Sequence, residues 1–453
     1  MSISQHLSRS CAVLFCLSFL VLAPVVHAQV SVGCAGAGGP SDFPSIGAAL
    51  AANPAGNVSI TISGVCTEAV FLAGMQNVQL NGTPGAALVD PGENPPSYGA
   101  VLDIEDSHNI TVQGLTIQVA SRSVDSAIPV MTVGNSDVFV RASNIEGAGA
   151  SDGIDAFQST VRIFGATVIE NNNDGQGSGE GIFVQGPSST LSLRRDGSGN
   201  CPVIQNSGDS GIFISGSGAH LGVPAPAGCA KIQNNSIGIF ANQGATVNLS
   251  ASQSSQNSIQ VLNNQLGVIA VVGAQFNISG PVLIQGNSFA GVRVRNAQGA
   301  LGAAPDGPAG PLIQQNGTAG FSFVDTNFCC VVPAGVSVVN NGDLDITAAT
   351  VVNNSAPGVV ISDNSSTRLI GSLGTINISQ NPTGVSVTNV SSLALFLSPT
   401  ITGNSGSDVS CGPDSVAYGD LSGVGKTSCQ QFKTVNTPAP HKHAASRNSR
   451  PQP

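Results

Sequence analysis

The sequence predicts an all-β solenoid, a column of short-stranded coils stacked one on another. Three observations predict it: a recurring motif, alternation of period two between the motifs, and a composition poor in charge. Nine times a β-branched aliphatic residue is followed three positions later by Asn, or once by Ser. The pairs are Ile169/Asn172, Ile204/Ser207, Ile232/Asn235, Val261/Asn264, Ile284/Asn287, Ile313/Asn316, Val351/Asn354, Ile378/Asn381 and Ile401/Asn404, spaced 23 to 38 residues apart. A repeat of that period builds coils that contact only their neighbours. Of 453 residues, 41% are hydrophobic and 9% charged, against roughly 25% charged in an average soluble protein. Abundant β-branched residues with few charges suit short strands joined by tight polar turns. A net charge of −10 without a basic, aromatic-interleaved stretch argues against a nucleic-acid partner.

Taken in order, residues 1–28 read as a signal peptide: Arg9, the apolar run Cys11 to Leu22, and Val26-His27-Ala28 before a cleavage site. No other stretch reaches the ~18 apolar residues of a membrane span, so an extracytoplasmic protein, secreted or periplasmic, is expected. Residues 29–57 form an N-terminal cap, with an amphipathic helix over residues 42–52. Residues 58–410 carry the coils, 411–435 a disulfide-closed C-terminal cap, and 436–453 a Pro-, Ser- and His-rich tail expected to be disordered.

Within each coil, three alternating segments follow one another. The first opens on glycine (Gly181-Ile182-Phe183-Val184, Gly211-Ile212-Phe213-Ile214, Gly238-Ile239-Phe240-Ala241). The second carries pairs such as Val161/Ile163 and Leu191/Leu193, and the third is the motif ending in Asn. Alternation puts one face inward and one outward. The asparagines are assigned to structure. They tolerate a left-handed turn, and their amides can bond along a column of identical residues.

Cleavage of the leader leaves eight cysteines, an even number that in an exported chain favours disulfides. Cys201 and Cys229 each stand three residues before a motif isoleucine, so stacking sets them ~4.8 Å apart, within disulfide reach. Proximity pairs Cys34 with Cys66 and Cys411 with Cys429. Cys329 and Cys330 are left as a vicinal bridge or free thiols.

The cap helix, the stretch Val58-Ser59-Ile60-Thr61-Ile62-Ser63-Gly64 with Cys66-Thr67-Glu68, and the Gly-Ile-x-Val…Ile-x-Asn-Asn coils resemble the right-handed parallel β-helix, or pectin-lyase-like, superfamily. The resemblance spans residues 34–410 and implies a right-handed β-helix of about 11 three-strand coils with a capping helix. It leaves activity open, because lyases, hydrolases, epimerases, adhesins and proteins of no known chemistry share that fold.

Two candidate sites follow from the outward column of the first segment, read as Asp103, Thr132, Asp155, Phe183, Phe213, Phe240, Ile269, Arg293, Ser322, Val360 and Ser386. Asp152 and Glu180 stand at equivalent places in adjacent coils, with Asp174 and Asp209 in nearby turns. Crowded carboxylates suit a hard cation, so Asp152, Asp155, Asp174 and Glu180 form a candidate calcium site. The competing reading is solvated loop ends that keep the surface soluble. Asp103, Asp155, the three phenylalanines and Arg293 are candidate ligand contacts, for which an extracellular polysaccharide is the expected partner.

Pectate-lyase-like enzymes of the resembling fold pair calcium-binding acids with an Arg or Lys base. Here Arg293 and Arg295 lie five coils beyond Asp155, ~24 Å away. Lys231 and Arg162 fall on other segments, and His108 and His220 read as isolated surface residues. A non-catalytic scaffold binding polysaccharide or envelope partners is therefore expected. The alternative is a calcium-dependent polysaccharide lyase or epimerase.

Overall fold

The computed structural model describes residues 28–92, 99–119, 127–173, 179–255, 258–319, 332–371 and 374–429. The expected leader, the tail, Asp174, Ser322, Cys329 and Cys330 lie outside these, apart from Ala28. The chain winds as a right-handed parallel β-helix with three parallel sheets. Sheet I has fifteen strands, running from Ala28–Gly33 to Val416–Gly419. Sheet II has thirteen, from Val70–Ala73 to Val409–Cys411, and sheet III thirteen, from Val65–Thr67 to Thr400–Ile401. The count exceeds the nine motifs because the earliest coils, such as Leu102–Glu105 followed by Ile110–Gln113 and Thr116–Val119, stack without the Asn signature.

Register is set by burial. On sheet II the column Ile154, Ile182, Ile212, Ile239, Val268, Val292, Val336 and Val359 pairs rung by rung, and all of it is buried. A slip of one residue would turn this column to solvent, forfeiting roughly 1.5–3 kcal/mol for each side chain.

The asparagine column lies buried at the corner between sheets III and II. The Oδ1 atoms of Asn264, Asn287, Asn316, Asn354, Asn381 and Asn404 each accept from the backbone N–H of the preceding column residue at 3.0–3.1 Å. Each also accepts from that residue's Nδ2 at 2.9–3.1 Å. The other amide proton reaches a carbonyl further down the stack, as Asn316 Nδ2 reaches Ile284 O at 3.2 Å. Asp408, which the motif does not reveal, ends the column: its Oδ1 accepts from Asn404 N at 3.1 Å and Nδ2 at 2.8 Å. An acceptor with no proton to donate is a chemically sensible terminus.

Two expectations are corrected here. The left-handed residue is not the column member but the one before it: Asn171, Asn206, Asn234, Asn263, Gln315, Asn353 and Gln380, with Gly286 and Gly403 in two coils. That twist turns the following side chain inward. The helix is also shorter than expected, Ile46–Ala51. Ser45 caps it by accepting from Ala48 N, Glu68 accepts from Ile46 N and Gly47 N, and Asp42 and Phe43 instead bond back to Ser31.

The glycine that opens each sheet II strand answers to the asparagines. A Cβ on Gly238 would stand 2.6 Å from the Gly267 carbonyl oxygen and 3.0 Å from Asn264 Nδ2, so a side chain there would displace the ladder. All three cysteine pairs are bonded, with Cα separations of 5.0 Å for Cys34–Cys66, 5.2 Å for Cys201–Cys229 and 4.8 Å for Cys411–Cys429. Among the described residues no helix is long and apolar enough to cross a membrane.

Candidate functional site

On sheet II the outward column runs Phe71, Asp103, Thr132, Asp155, Phe183, Phe213, Phe240, Ile269, Arg293, Ser337, Val360, Ser386 and Ser410. Ser337 holds the rung assigned to Ser322, because a longer insertion separates these two coils. Asp103 is buried and accepts from Thr132 Oγ1 at 2.5 Å. Asp152 and Glu180 are Cα partners on adjacent strands, and Glu180 N donates to Asp152 Oδ1 at 3.1 Å.

Burial pushes the Glu180 carboxyl well up, and its hydrogen bond to Asp152 and the charges of Asp152 and Asp209 add to that. Burial and then the Asp152 charge lift Asp155 to about 6, against the opposing hydrogen bond of Gln185. The raised Glu180 pKa favours its neutral form, which eases the like-charge repulsion with Asp152; Asp174, the fourth residue of the expected cation site, lies outside the described residues. Among the described residues the one set of three ligand atoms within 4.8 Å of one another is Cys34, Cys66 and Glu68, of which the cysteines are disulfide-bonded and Glu68 caps the helix. Asp152, Asp155 and Glu180 do not converge in that way.

The phenylalanines stack on one another. Phe183 and Phe213 have ring centroids 5.0 Å apart and planes 5° apart; Phe213 and Phe240 are 4.8 Å and 33° apart. Both faces of Phe213 are therefore covered by its neighbours. The stacked pairs stabilise the sheet, by roughly 0.5–1.5 kcal/mol each. Beyond it, a cleft of about 430 Å³ is lined by Phe240, Val271, Arg295, Asn296, Asn340 and Asn341, among others.

A second face, on sheet I, escaped the sequence reading. Of nine Lys and Arg residues among those described, four (Arg141, Arg162, Arg194 and Arg195) sit on or beside three consecutive strands, Asp137–Arg141, Thr160–Phe164 and Thr190–Arg194. Register brings Phe139 beside Arg162, and Arg141 beside Phe164 and then Arg194. The Arg141 guanidinium lies 4.6 Å from the Phe164 centroid, and Arg162 lies 4.8 Å from that of Phe139. Only one of the four has a carboxylate within ion-pair distance among the described residues: Arg162 Nη1 to Asp137 Oδ1, 2.5 Å. Arg194 Nε donates to Ser192 Oγ at 3.3 Å, and Arg195 Nη2 to the Pro226 carbonyl and Ser255 Oγ.

Two adjoining grooves follow. One of about 320 Å³ is lined by Thr160, Arg162, Thr190, Arg194, His220 and Asn248; the other, of about 340 Å³, by Gln113, Arg141, Phe164, Arg195 and Asp196, among others. Partial burial lowers the His220 pKa. The signal that could have found this face was the alternation Phe139, Arg141 and Arg162, Phe164 on neighbouring strands. It emerges only once the register between coils is fixed.

No protein-family model and no curated protein sequence matches the chain. Among solved structures, it is similar to PfbA, a surface adhesin of Streptococcus pneumoniae, with 12% identity, 80% of this chain and 86% of that one covered, and a TM-score of 0.25. It is also similar to the A-module of the mannuronan C-5 epimerase AlgE4 of Azotobacter vinelandii, with 11% identity, 81% and 75% covered, and a TM-score of 0.22. Neither likeness carries a residue role across. The class that the three sheets define is a disulfide-bonded right-handed parallel β-helix protein.

Proposed function

We propose that this is an extracytoplasmic, non-catalytic β-helix that binds acidic polysaccharide along sheet I. The observation that carries the reading is the gathering of Arg141, Arg162, Arg194 and Arg195 over three coils of a chain whose net charge is −10. Arginine donates from a planar fork that matches carboxylate and sulfate. Rungs ~4.8 Å apart let an extended polymer lying along the helix axis meet cations on successive coils. Thr160, Thr190 and Asn248 in the same groove supply neutral partners for sugar hydroxyls. Three disulfides fit an oxidising compartment.

The test is binding of purified protein to pectate, alginate and a neutral glucan. Binding to the polyuronates, lost in Arg141→Ala/Arg162→Ala/Arg194→Ala, supports the proposal; equal binding to the neutral glucan overturns it. The place of His220 in the groove favours a second reading, a lyase or epimerase whose imidazole takes the proton α to the uronate carboxylate. Unsaturated ends absorbing in the near ultraviolet, absent in His220→Ala, would establish the lyase form in place of the non-catalytic one.

A further inference from the structure

Where sheet II turns into sheet I, successive coils stack one left-handed residue on another: Gln243, Val272, Asn296, Asn340, Asp363 and Asn389. Register fixes the order, since Arg295 pairs with Val271 on one side and Val339 on the other. Asn and Asp suit that conformation, and a β-branched side chain does not. Val272 nevertheless holds φ at 49° with 55% of its surface exposed. Strain of that kind clusters at ligand sites.

Elsewhere this corner closes through side-chain hydrogen bonds. Asn135 Nδ2 donates to Asp106 Oδ1 at 2.7 Å, and Asn389 Nδ2 to Asp363 Oδ1 at 2.9 Å. Beside them Asn364 Nδ2 donates to Asn341 Oδ1 at 2.8 Å. Valine has no polar atom to offer, so the column is interrupted between Gln243 and Asn296. The interruption faces the cleft of about 430 Å³, whose wall joins Val272, Val271 and Phe240 to the amides of Asn296 and Asn340. Asn242 and Asn341 complete the amides, and Arg295 is the single charged residue among the described residues that line it. Val272, Asn296, Asn340 and Asn341 are all exposed, so a ligand in the cleft can reach them. Four amides to one cation reverses the balance of the sheet I grooves, where the arginines stand in pairs.

We infer that this cleft binds an N-acetylated amino sugar, a ligand distinct from the polyuronate proposed for sheet I. The acetamido group takes the place that the column lacks. Its methyl packs on Val272, Val271 and Phe240, while its N–H and C=O meet the side chains of Asn296 and Asn340. The sugar hydroxyls are left for Asn242, Asn341 and Arg295. Amides pair because each donates and accepts, and an N-acetyl sugar carries an amide and an apolar methyl side by side. The site is independent of sheet I, so either can fail without the other.

The experiment is saturation-transfer NMR on the full chain with millimolar N-acetylglucosamine, glucose or galacturonate. N-acetylglucosamine is expected to bind, with its acetyl methyl receiving the strongest saturation, and glucose to give little signal. Val272→Asn puts an amide back into the corner, in a residue suited to that backbone. It should fold and weaken binding at least about tenfold, as should Asn296→Ala/Asn340→Ala. Arg141→Ala/Arg162→Ala/Arg194→Ala should bind as the wild type does. No saturation in the wild type would overturn the site, and so would unchanged binding in Val272→Asn or loss of binding in the sheet I variant. An equal response to glucose, a larger one to galacturonate, or strongest saturation on the ring protons would overturn the acetamido assignment.

Discussion

The asparagine corner and the arginine face are both columns of polar side chains stacked at strand spacing, yet one is closed and the other open. An amide both donates and accepts, so identical amides in register satisfy one another. That is the case from Asn235 to Asn404, with Asp408 as the last acceptor. A guanidinium only donates, so a column of arginines must find acceptors elsewhere. At Arg368 this chain provides them, through Asp345 at 2.5 Å and 2.8 Å. Around Arg141 and Arg194 it provides aromatic rings and a hydroxyl instead. A repeated polar residue is thus structural when its chemistry closes on itself; where it does not, as around Arg141 and Arg194, its donors are left for the proposed polyuronate.

The largest break in this contrast comes at the closed column. Asn316→Ala removes the acceptor for both Asn287 N and Asn287 Nδ2. Two orphaned buried donors should cost about 2–4 kcal/mol, read as a lower urea midpoint with binding to polyuronate intact at low denaturant. Next comes the open column. Arg141→Ala/Arg162→Ala/Arg194→Ala should weaken polyuronate binding at least about tenfold and flatten its salt dependence, with stability nearly unchanged. Arg368→Ala, whose charge is already met by acids, should leave binding alone. Equal losses from both variants would show that net charge, not the groove, does the binding.

The ladder also has a defect that can be repaired. Ser207 stands where the other coils place Asn; its Oγ is unpartnered, and so are Asn172 Nδ2 and Oδ1 one coil below. The serine hydroxyl is too short to accept from Asn172, the preceding rung. Ser207→Asn should join Asn172 to the rest of the column and add about 1 kcal/mol, seen as a raised melting midpoint.

The smallest effect concerns the carboxylates of sheet II. The folded state holds Glu180 above its unfolded value of 4.5 and Asp155 at about 6, above 3.8. Between those limits the folded chain binds more protons than the unfolded one, so stability falls as pH rises through the window. Glu180→Gln should flatten that slope between pH 5 and 8, a change on the order of 1 kcal/mol. An unchanged slope would show that Glu180 does not carry it.

The coil, the three-segment alternation and the Cys201–Cys229 pairing were legible because each follows from a period in the chain: residues one winding apart become neighbours, and burial punishes any slip. The carboxylate group of Asp152, Asp155 and Glu180 was legible for the same reason. What those acids do with their charge was not, since that depends on how far burial and the neighbouring Asp152 raise one carboxyl. Nor did sequence reveal that Asn171 rather than Asn172 takes the left-handed turn, because both are asparagines and only the buried partner distinguishes them. The arginine face and the interrupted corner at Val272 belong wholly to tertiary structure. Sequence repeats announce the columns that match within themselves. A column made of unlike residues, such as Phe139 with Arg162 or Arg141 with Phe164, appears only when the register sets them side by side.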